Sequence, residues 1–448
     1  MQRERSLIIL LILLCTLILT LPVAAEQVSD NTVTIGALLS MTGGSSTHSI
    51  AANAALDIAR EDINTFLGDM GRDDRINVVV EDTTSTPEGT LAALKKLEAQ
   101  GITIFIGPED SASLAAVREY ADDHDLILVS GSSTAPSIAI PGDTTFRLVP
   151  DDTYLAEGVV GYLVREGTTV IIPFAREDVW ADDWVGLLTT GLAPLGGTVT
   201  EPVRYDGSET DHSIALAKLK EQITAAQKTY GAENVGVFTV TFDEIADILS
   251  EASGDDVLSS VRWYGSDLAG LQDYDDDALA FAADVGFTYA KYGDDFGWRN
   301  TPVLSEIGDR IDGIADPLAL NDYDGLWLIA YTYLISDTTA TDTFRWVLPL
   351  FGENYRGITG RLTIGENGDR DFAFYTFETM KEDDGVYAWV PQLQWIKDPE
   401  SGTLWRMVID GVPSDELISG TTAPMTGYGI GKNNHPSLPA IFTRTFSL

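Results

Sequence analysis

The sequence alternates short apolar segments with longer segments of helical periodicity, and this alternation limits the folds that the chain can adopt. The run 33–39 is apolar and ends at a Ser/Gly cluster, as is typical of a buried strand followed by a loop. Apolar residues then recur at three- and four-residue spacing from Ala51 to Ile63, which predicts a helix. The same order continues with predicted strands at 76–80, 102–106 and 126–130 and predicted helices at 87–99 and 111–122.

A second series of the same kind follows. Its predicted strands lie at 170–173, 199–205, 235–241, 261–265 and 285–290, and helical periodicity covers 182–193 and 213–227. Repeated strand–helix–strand units favour parallel sheets with helices on both faces. We therefore expect an α/β protein with two Rossmann-like lobes, joined by short crossovers because no low-complexity linker separates the two series.

The charge of the chain excludes one class of partner. Asp and Glu number 69 against 28 Lys and Arg in 448 residues, a formal net charge of −41. Such a surface repels phosphate backbones, so we expect no nucleic-acid partner. Hydrophobic residues make up 44% of the chain, which is enough to bury full-sized cores without disulfides.

The first 25 residues resemble an export signal. Arg3 and Arg5 precede an apolar run from Leu7 to Leu21, and small residues at 24 and 25 would suit a signal peptidase. We expect residues 1–25 to be a cleaved signal peptide, and the alternative is a leader retained as an anchor. The only cysteine, Cys15, lies within this run without the preceding small residues of a lipoprotein site. The protein is therefore expected in the periplasm or on the extracellular face of the membrane, tethered there if the leader is uncleaved.

Three loops at predicted strand ends carry candidate ligand-binding residues. One runs from 106 to 113 with Glu109 and Asp110, and another runs from 130 to 136 with four hydroxyl residues. Ligands of open α/β sheets bind beyond the carboxyl ends of strands, and small hydroxyl residues there suit a carboxylate. The alternative for any single Ser or Thr is helix capping. In the third loop Asp267 could face the first two across a cleft and bind an ammonium group, although a lone loop Asp is more often solvated or capping.

Motifs for catalysis and for metals are absent from the sequence. It contains no G-x-G-x-x-G loop, P-loop, G-x-S-x-G elbow or H-E-x-x-H, and its four histidines are far apart. The acidic run 273–277 resembles the start of a calcium loop, but Ala278 stands where the sharp turn requires Gly, which favours a solvated turn. We therefore expect no catalytic residues, no metal and no cofactor. Trp327, Tyr331 and Leu334 recur at helical spacing and are expected to pack in the core.

Several short motifs, in order over residues 31–410, resemble the type I periplasmic solute-binding proteins of the leucine/isoleucine/valine-binding class, which supply ABC importers. The motifs are Ile35-Gly36-Ala37-Leu38-Leu39-Ser40-Met41-Thr42-Gly43, Asp62-Ile63-Asn64, Glu81-Asp82 with Pro87, Ile106-Gly107-Pro108, the 130–136 loop, Phe146-Arg147, Tyr323-Asp324-Gly325, and Gly357-Ile358-Thr359-Gly360-Arg361-Leu362 before Asn367-Gly368-Asp369.

The resemblance implies a division of the chain into two lobes with three crossovers. The N-terminal lobe would comprise 31–148 and 288–352, and the C-terminal lobe 149–287 and 353–410. The crossings are expected near 147–150, 287–291 and 351–357. Residues 411–448 lie outside the resemblance and are expected to form a loop-rich extension or final edge strands of unknown role.

The resemblance also implies a ligand site. Ser111, Ser132, Ser133 and Thr134 would hold the carboxylate of the ligand. Asp267 would bind its ammonium group, and further lining residues would be His48, Trp180 in place of the usual Tyr, and Phe242 or its neighbour Thr241. Glu109 and Asp110 add negative charge beside the carboxylate loop. Either these two side chains point away from the site, or the ligand carries more positive charge than a branched-chain amino acid.

The resemblance implies a binding protein and not an enzyme. We expect a monomer that captures an amino acid or related amide and delivers it to a membrane ABC permease. The alternative is a sensor subunit that reports ligand occupancy to a membrane receptor. A secreted enzyme ranks third, because the Ser-rich loops have no His or Lys placed as a general base.

Overall fold

In the computed structural model, the described residues are 31–270, 272–293, 302–398, 402–409 and 412–417. The predicted leader and the end of the C-terminal extension lie outside these residues. Among the residues described, no helix has both the length and the apolar character needed to cross a membrane.

The first lobe is built on five parallel strands in the order β2-β1-β3-β4-β5. The strands and their connecting helices are β1 Thr32–Leu39, α1 Ser46–Asp69, β2 Arg75–Asp82, α2 Pro87–Glu98, β3 Ile104–Ile106, α3 Ser111–Asp123, β4 Ile127–Ser130 and β5 Thr145–Arg147. Apolar side chains of β3 and β4 are buried on both faces of the sheet, as expected of parallel strands covered by helices.

The second lobe begins with the helix after the first crossover. Its elements are α4 Asp152–Arg165, β6 Val170–Arg176, α5 Val179–Leu192, β7 Thr198–Val199, β8 Val203–Tyr205, α6 Ser213–Tyr230, β9 Val235–Val240, α7 Ile245–Ala252, β10 Arg262–Gly265, α8 Asp276–Asp284 and β11 Thr288–Tyr292. The strand predicted at 199–205 is therefore two short strands, both paired with β6.

The chain then returns to the first lobe. Helices α9 Pro302–Ile311, α10 Ala319–Ser336 and α11 Thr341–Gly352 follow, and α10 packs along α1. Trp327 and Tyr331 are completely buried there in the same apolar cluster as Ile35, which confirms their predicted packing role. A small hairpin, β12 Arg356–Gly357 with β13 Gly360–Arg361, comes next.

Four antiparallel strands extend the second sheet: β14 Ala373–Asp383, β15 Val386–Asp398, β16 Gly402–Ile409 and β17 Val412–Leu417. The sheet order is β17-β16-β15-β14-β11-β10-β9-β6-β7. The predicted α/β fold with parallel sheets is confirmed, and this antiparallel extension is an addition to it. The turn between β14 and β15 consists of Asp384 and Gly385 alone, both with positive φ (49° and 80°). Two-residue turns of this kind match the twist of paired strands.

Two of the three predicted crossings are too early in the sequence. Strand β11 pairs with β10 and β14, so residues 288–292 belong to the second lobe and the chain leaves it only after Tyr292. Similarly, Tyr355, Leu362 and Ile364 are buried in the core of the first lobe, which places the third crossing after Ile364. The apolar patterns at 287–291 and 355–364 suit either lobe, and only packing assigns them.

Two buried arginines join the three crossing segments. The guanidinium of Arg147 is paired with the carboxylate of Asp369, and Arg370 donates to the carbonyls of Leu148 and Thr359 at 3.3 and 2.6 Å. Arg370 also donates to the hydroxyl of Tyr292 at 3.1 Å. The described residues next to the three crossings thus form one connected polar cluster.

Candidate functional site

The candidate site is the cleft between the lobes. The lining residues are Ser45, His48, Glu109, Asp110, Ser111, Ser132 and Thr134 from the first lobe and Trp180, Phe242, Asp267 and Leu268 from the second. The cavity that remains in the cleft has a volume of about 30 Å³, which is room for very few waters.

The lobes are closed upon each other in this structure. The amide of Asp243 in the second lobe donates to the carbonyl of Gly44, and its carboxylate accepts from the amide of Thr47, both at 3.2 Å. On another side of the cleft the amide of Ser137 donates to the Asp183 carboxylate at 2.9 Å. A ligand therefore has to enter while the lobes are apart.

The hydroxyl residues of the first lobe lie where parallel strands β3 and β4 end. Asp110 caps α3 by accepting from the amide of Ser113, which leaves the Ser111 hydroxyl to accept from the amides of Thr134 and Ala135 at 3.2 and 3.1 Å. The Ser133 hydroxyl lies behind this layer and donates to Ser111, so Ser133 does not line the cleft. Capping of α3 is thus done by Asp110 and not by a hydroxyl residue.

Two of these hydroxyls donate to carboxylates of the chain itself. Ser132 donates to Oε2 of Glu109 at 2.7 Å, and Thr134 donates to Oδ2 of Asp152 at 2.8 Å. The indole nitrogen of Trp180 donates to the same Asp152 oxygen at 2.8 Å. These donors therefore suit a carboxylate acceptor, and in the closed cleft that acceptor is a side chain.

Asp152 is a site residue that sequence reasoning missed. It is the first residue of α4, is completely buried, and has no hydrogen-bond partner for Oδ1. Burial, together with the nearby charge of Asp267, raises the pKa of Asp152 well above its usual range. A buried acid at a helix start is easily interpreted from sequence as a solvated first-turn residue.

Asp267 lies at the end of β10 and faces the first lobe, as the sequence predicts. Its side chain is buried, and Oδ1 has no hydrogen-bond partner among the described residues. Burial raises the pKa of Asp267 to about 7. A positively charged group beside Asp267 would favour the ionised carboxylate and lower this pKa.

His48 occupies the opposite wall, in the first turn of α1. Its Nδ1 contacts the carboxylate of Asp316, and its Nε2 lies 3.1 Å from Oε2 of Glu109. Burial opposes the charged ring, but the two carboxylates outweigh burial and raise the pKa of His48 well above its usual range. The raised pKa favours the charged imidazolium between the two acids, and a ring in that form cannot accept a proton as a general base.

Asp322 on α10 lies directly behind this wall, and sequence reasoning missed it together with Asp316. Its carboxyl lies beside Glu109, and one ligand atom each of His48, Glu109 and Asp322 fall within 4.8 Å of one another. Burial and the charge of Glu109 raise the pKa of Asp322 well above its usual range. Gly131 makes room for this acid, because a Cβ there would lie 2.6 Å from an oxygen of Asp322.

An aromatic pair forms the remaining wall. Trp180 and Phe242 stack with ring centroids 4.9 Å apart, and the guanidinium of Arg176 lies 4.0 Å from the centre of the Phe242 ring. Arg176 is paired with Asp178 and Glu244, so its charge is already balanced. The aromatic faces therefore offer an apolar and cation-tolerant surface to a ligand.

A comparison with models of protein families identifies the family of this chain. The family model described as a periplasmic binding protein matches residues 32–330, which is most of the described chain. The protein belongs to the periplasmic binding protein family. Its fold is that of a type I periplasmic binding protein, as in a leucine-binding protein of known structure.

Two curated relatives were found. An uncharacterised protein of Methanocaldococcus jannaschii is 25% identical in an alignment 376 residues long, which covers 79% of this chain and 88% of that relative. The chemotactic signal transduction system substrate-binding protein BasB of Halobacterium salinarum is 29% identical in an alignment 205 residues long, which covers 41% of this chain and 47% of BasB.

Solved structures share the fold. The leucine-binding protein LivK of Thermotoga maritima has a TM-score of 0.64 and 18% identity, with 82% of this chain and 99% of LivK covered. A solute-binding protein of Rhodopseudomonas palustris in complex with 3,4-dihydroxybenzoic acid has a TM-score of 0.66 and 14% identity, with 83% of this chain and 99% of that chain covered. Proteins of this fold thus bind chemically different solutes.

Proposed function

We propose that this periplasmic binding protein is an exported monomer that captures an amino acid or a related amide between its lobes and delivers it to a membrane ABC permease. The observation that carries this proposal is Asp267, a buried acid of the second lobe with an unpartnered oxygen at the ligand cleft. An amino or amide N–H supplies the donor that this oxygen lacks.

The hydroxyl layer supports the other end of the proposed ligand. Thr134 and Ser132 each donate to a carboxylate already, so their positions suit the carboxylate of an amino acid that takes the place of the Asp152 or Glu109 oxygen. The Ser111 hydroxyl fixes the loop by accepting from the amides of Thr134 and Ala135. His48, Trp180 and Phe242 would form the walls around the ligand side chain.

A sensor function is the second candidate. Its support is the partial similarity to BasB, whose name describes a chemotactic signal transduction system. The two candidates share the ligand site and differ in the membrane partner. Co-purification of the full chain with a permease favours transport, and co-purification with a transducer favours sensing.

A ligand screen tests the proposal. The purified protein is heated with single amino acids, their amides and aromatic acids, and its unfolding temperature is recorded. A ligand at a hundredfold excess over its Kd adds about 2.7 kcal/mol to the stability of the folded state. We expect a shift with at least one amino compound. A screen in which aromatic acids alone shift the transition would contradict the amino-group assignment.

A further inference from the structure

We propose that the ligand carries two positively charged nitrogen groups, one bound at Asp267 and one bound between Glu109 and Asp322. This inference rests on the proposed function, because it assumes that the cleft holds an amino compound. It concerns the class of that compound.

Acidic groups greatly outnumber basic ones in the cleft. Six carboxyl groups, each at least nine-tenths buried, lie in or directly behind its walls: Glu109, Asp110, Asp152, Asp267, Asp316 and Asp322. Among the described residues, His48 is the only basic side chain that lines the cleft. A buried charge without a partner costs several kcal/mol, so the excess of acids has to be met by protons or by a bound cation.

His48 does not meet this excess. Its two ring nitrogens face Asp316 and Glu109, and both N–H donors are used by these contacts. Apart from a proton that the two acids can share with each other, Oε1 of Glu109 and both oxygens of Asp322 have no hydrogen-bond donor among the described residues. These three acceptors belong to residues that are 5% and 1% exposed, so bulk water does not serve them.

Arg176 does not balance the excess of acids either. Arg176 is balanced by Asp178 and Glu244 in the second lobe. The hydroxyls of Ser132 and Thr134 each serve one carboxylate oxygen and leave Oδ1 of Asp152 and Oε1 of Glu109 unpartnered. The donors that these oxygens lack are therefore either protons held by the acids themselves or the N–H groups of a bound cation.

An ammonium group fits these acceptors. It carries three N–H donors on one centre, and the second lobe offers Asp267 while the first lobe offers Glu109 and Asp322. A solute with two such groups would bridge the lobes electrostatically and hold them together. A neutral amino acid would leave the Glu109–Asp322 pair without a counter-charge.

A matched pair of probes tests the second charge. L-Lysine and L-norleucine share the same carbon chain and differ in the terminal amino group, and putrescine has two amino groups without a carboxylate. We expect calorimetric titration to give at least a tenfold lower Kd for lysine or putrescine than for norleucine. Asp322→Asn and Glu109→Gln should reduce this preference at least tenfold. Asp277→Asn, an exposed acid of α8, should leave it unchanged.

Other outcomes overturn the inference. Equal affinities for lysine and norleucine contradict the second charge and leave solute capture intact. Absence of binding by every amino compound contradicts the proposed function as well. Binding of ZnCl₂ or MnCl₂ that is lost in Asp322→Asn, without amine binding, assigns the His48–Glu109–Asp322 group to a metal ion. Circular dichroism of each variant confirms folding before titration, and the two variants remove the charge from different elements.

Discussion

At the scale of single residues, the cleft is a place where protons and ligand compete for the same acids. Burial holds Asp152, Asp267 and Asp322 in their neutral forms more strongly than water would. A cation that binds them has to displace those protons. Ligand affinity and stability should therefore depend on pH in opposite directions.

Asp267→Asn tests this competition without ligand. The folded chain holds the Asp267 proton up to about pH 7, whereas the unfolded chain releases it near pH 4. The stability from this group is present in acid and lost as pH rises through 7. Relative to the parent, we expect Asp267→Asn to gain about 2–3 kcal/mol in unfolding free energy between pH 5 and pH 8. Urea unfolding at both pH values measures this gain, and a constant difference would contradict it.

Asp267→Ala tests the ammonium contact with ligand. Removal of a buried, charge-assisted acceptor should weaken binding by roughly 2 kcal/mol or more. Titration calorimetry of the parent and the variant with the ligand from the screen measures the loss. Asp277→Ala is the matched control, because an exposed charge is screened by water and salt. Unchanged binding by Asp267→Ala would show that the amino group lies elsewhere, with Glu109 as the next candidate.

At the scale of elements, helix starts account for many of the acids that the sequence presents as loop residues. The acidic run 273–277, expected to be a solvated turn, contains the N-cap of α8: Asp275 accepts from the amide of Ala278 at 2.7 Å. Its other oxygen accepts from the Ser250 hydroxyl of α7 at 2.8 Å. Asp275 therefore ties two helices as well as capping one.

Asp275→Ala should lower the free energy of unfolding by about 1 kcal/mol, because the cap on the Ala278 amide and the Ser250 contact are both lost. Chemical denaturation measures this change. Ligand affinity should stay at the parental value, since Asp275 is not among the cleft residues. Asp277→Ala, two positions along the same helix, removes a charge without removing a cap and should cost less.

Helices and strands could be predicted where a local sequence pattern marks them. Strand and helix alternation sufficed for the two lobes, and the Asp384-Gly385 pair between apolar runs is a local hairpin signal that could have predicted β14 and β15. The acidic wall was not predictable in this way. His48 and Asp316 are 268 positions apart, and Asp322 lies on a helix whose apolar residues dominate the pattern. Only the packing of α10 against α1 brings them together.

At the scale of the whole molecule, contacts across the cleft rim determine how readily the lobes part. Asp243 makes two of them, with Gly44 and Thr47, and accepts from Gln272 within its own lobe. Each of these hydrogen bonds is partly open to water, so its net contribution to the stability of the closed state is modest. The closed state should thus be favoured by only a small margin before ligand binds.

Asp243→Ala should shift the ligand-free protein towards the open state and weaken ligand binding by about 1 kcal/mol. Small-angle scattering should give a larger radius of gyration for the ligand-free variant than for the ligand-free parent. Saturating ligand should return both proteins to the same radius. Equal radii without ligand would mean that the rim contacts do not control closure.

Arg147 and Arg370 hold together described residues of the three connections between the lobes, namely Leu148, Tyr292 and Thr359 with Asp369. Connections held together in this way should resist twisting or sliding of one lobe against the other. Either motion would stretch one connection while it slackened another. We therefore expect the lobes to open by a hinge rotation about a single axis. A pair of fluorophores, one on each lobe at the cleft rim, would therefore convert ligand occupancy into one distance, and this chain could serve as an optical gauge of its own solute.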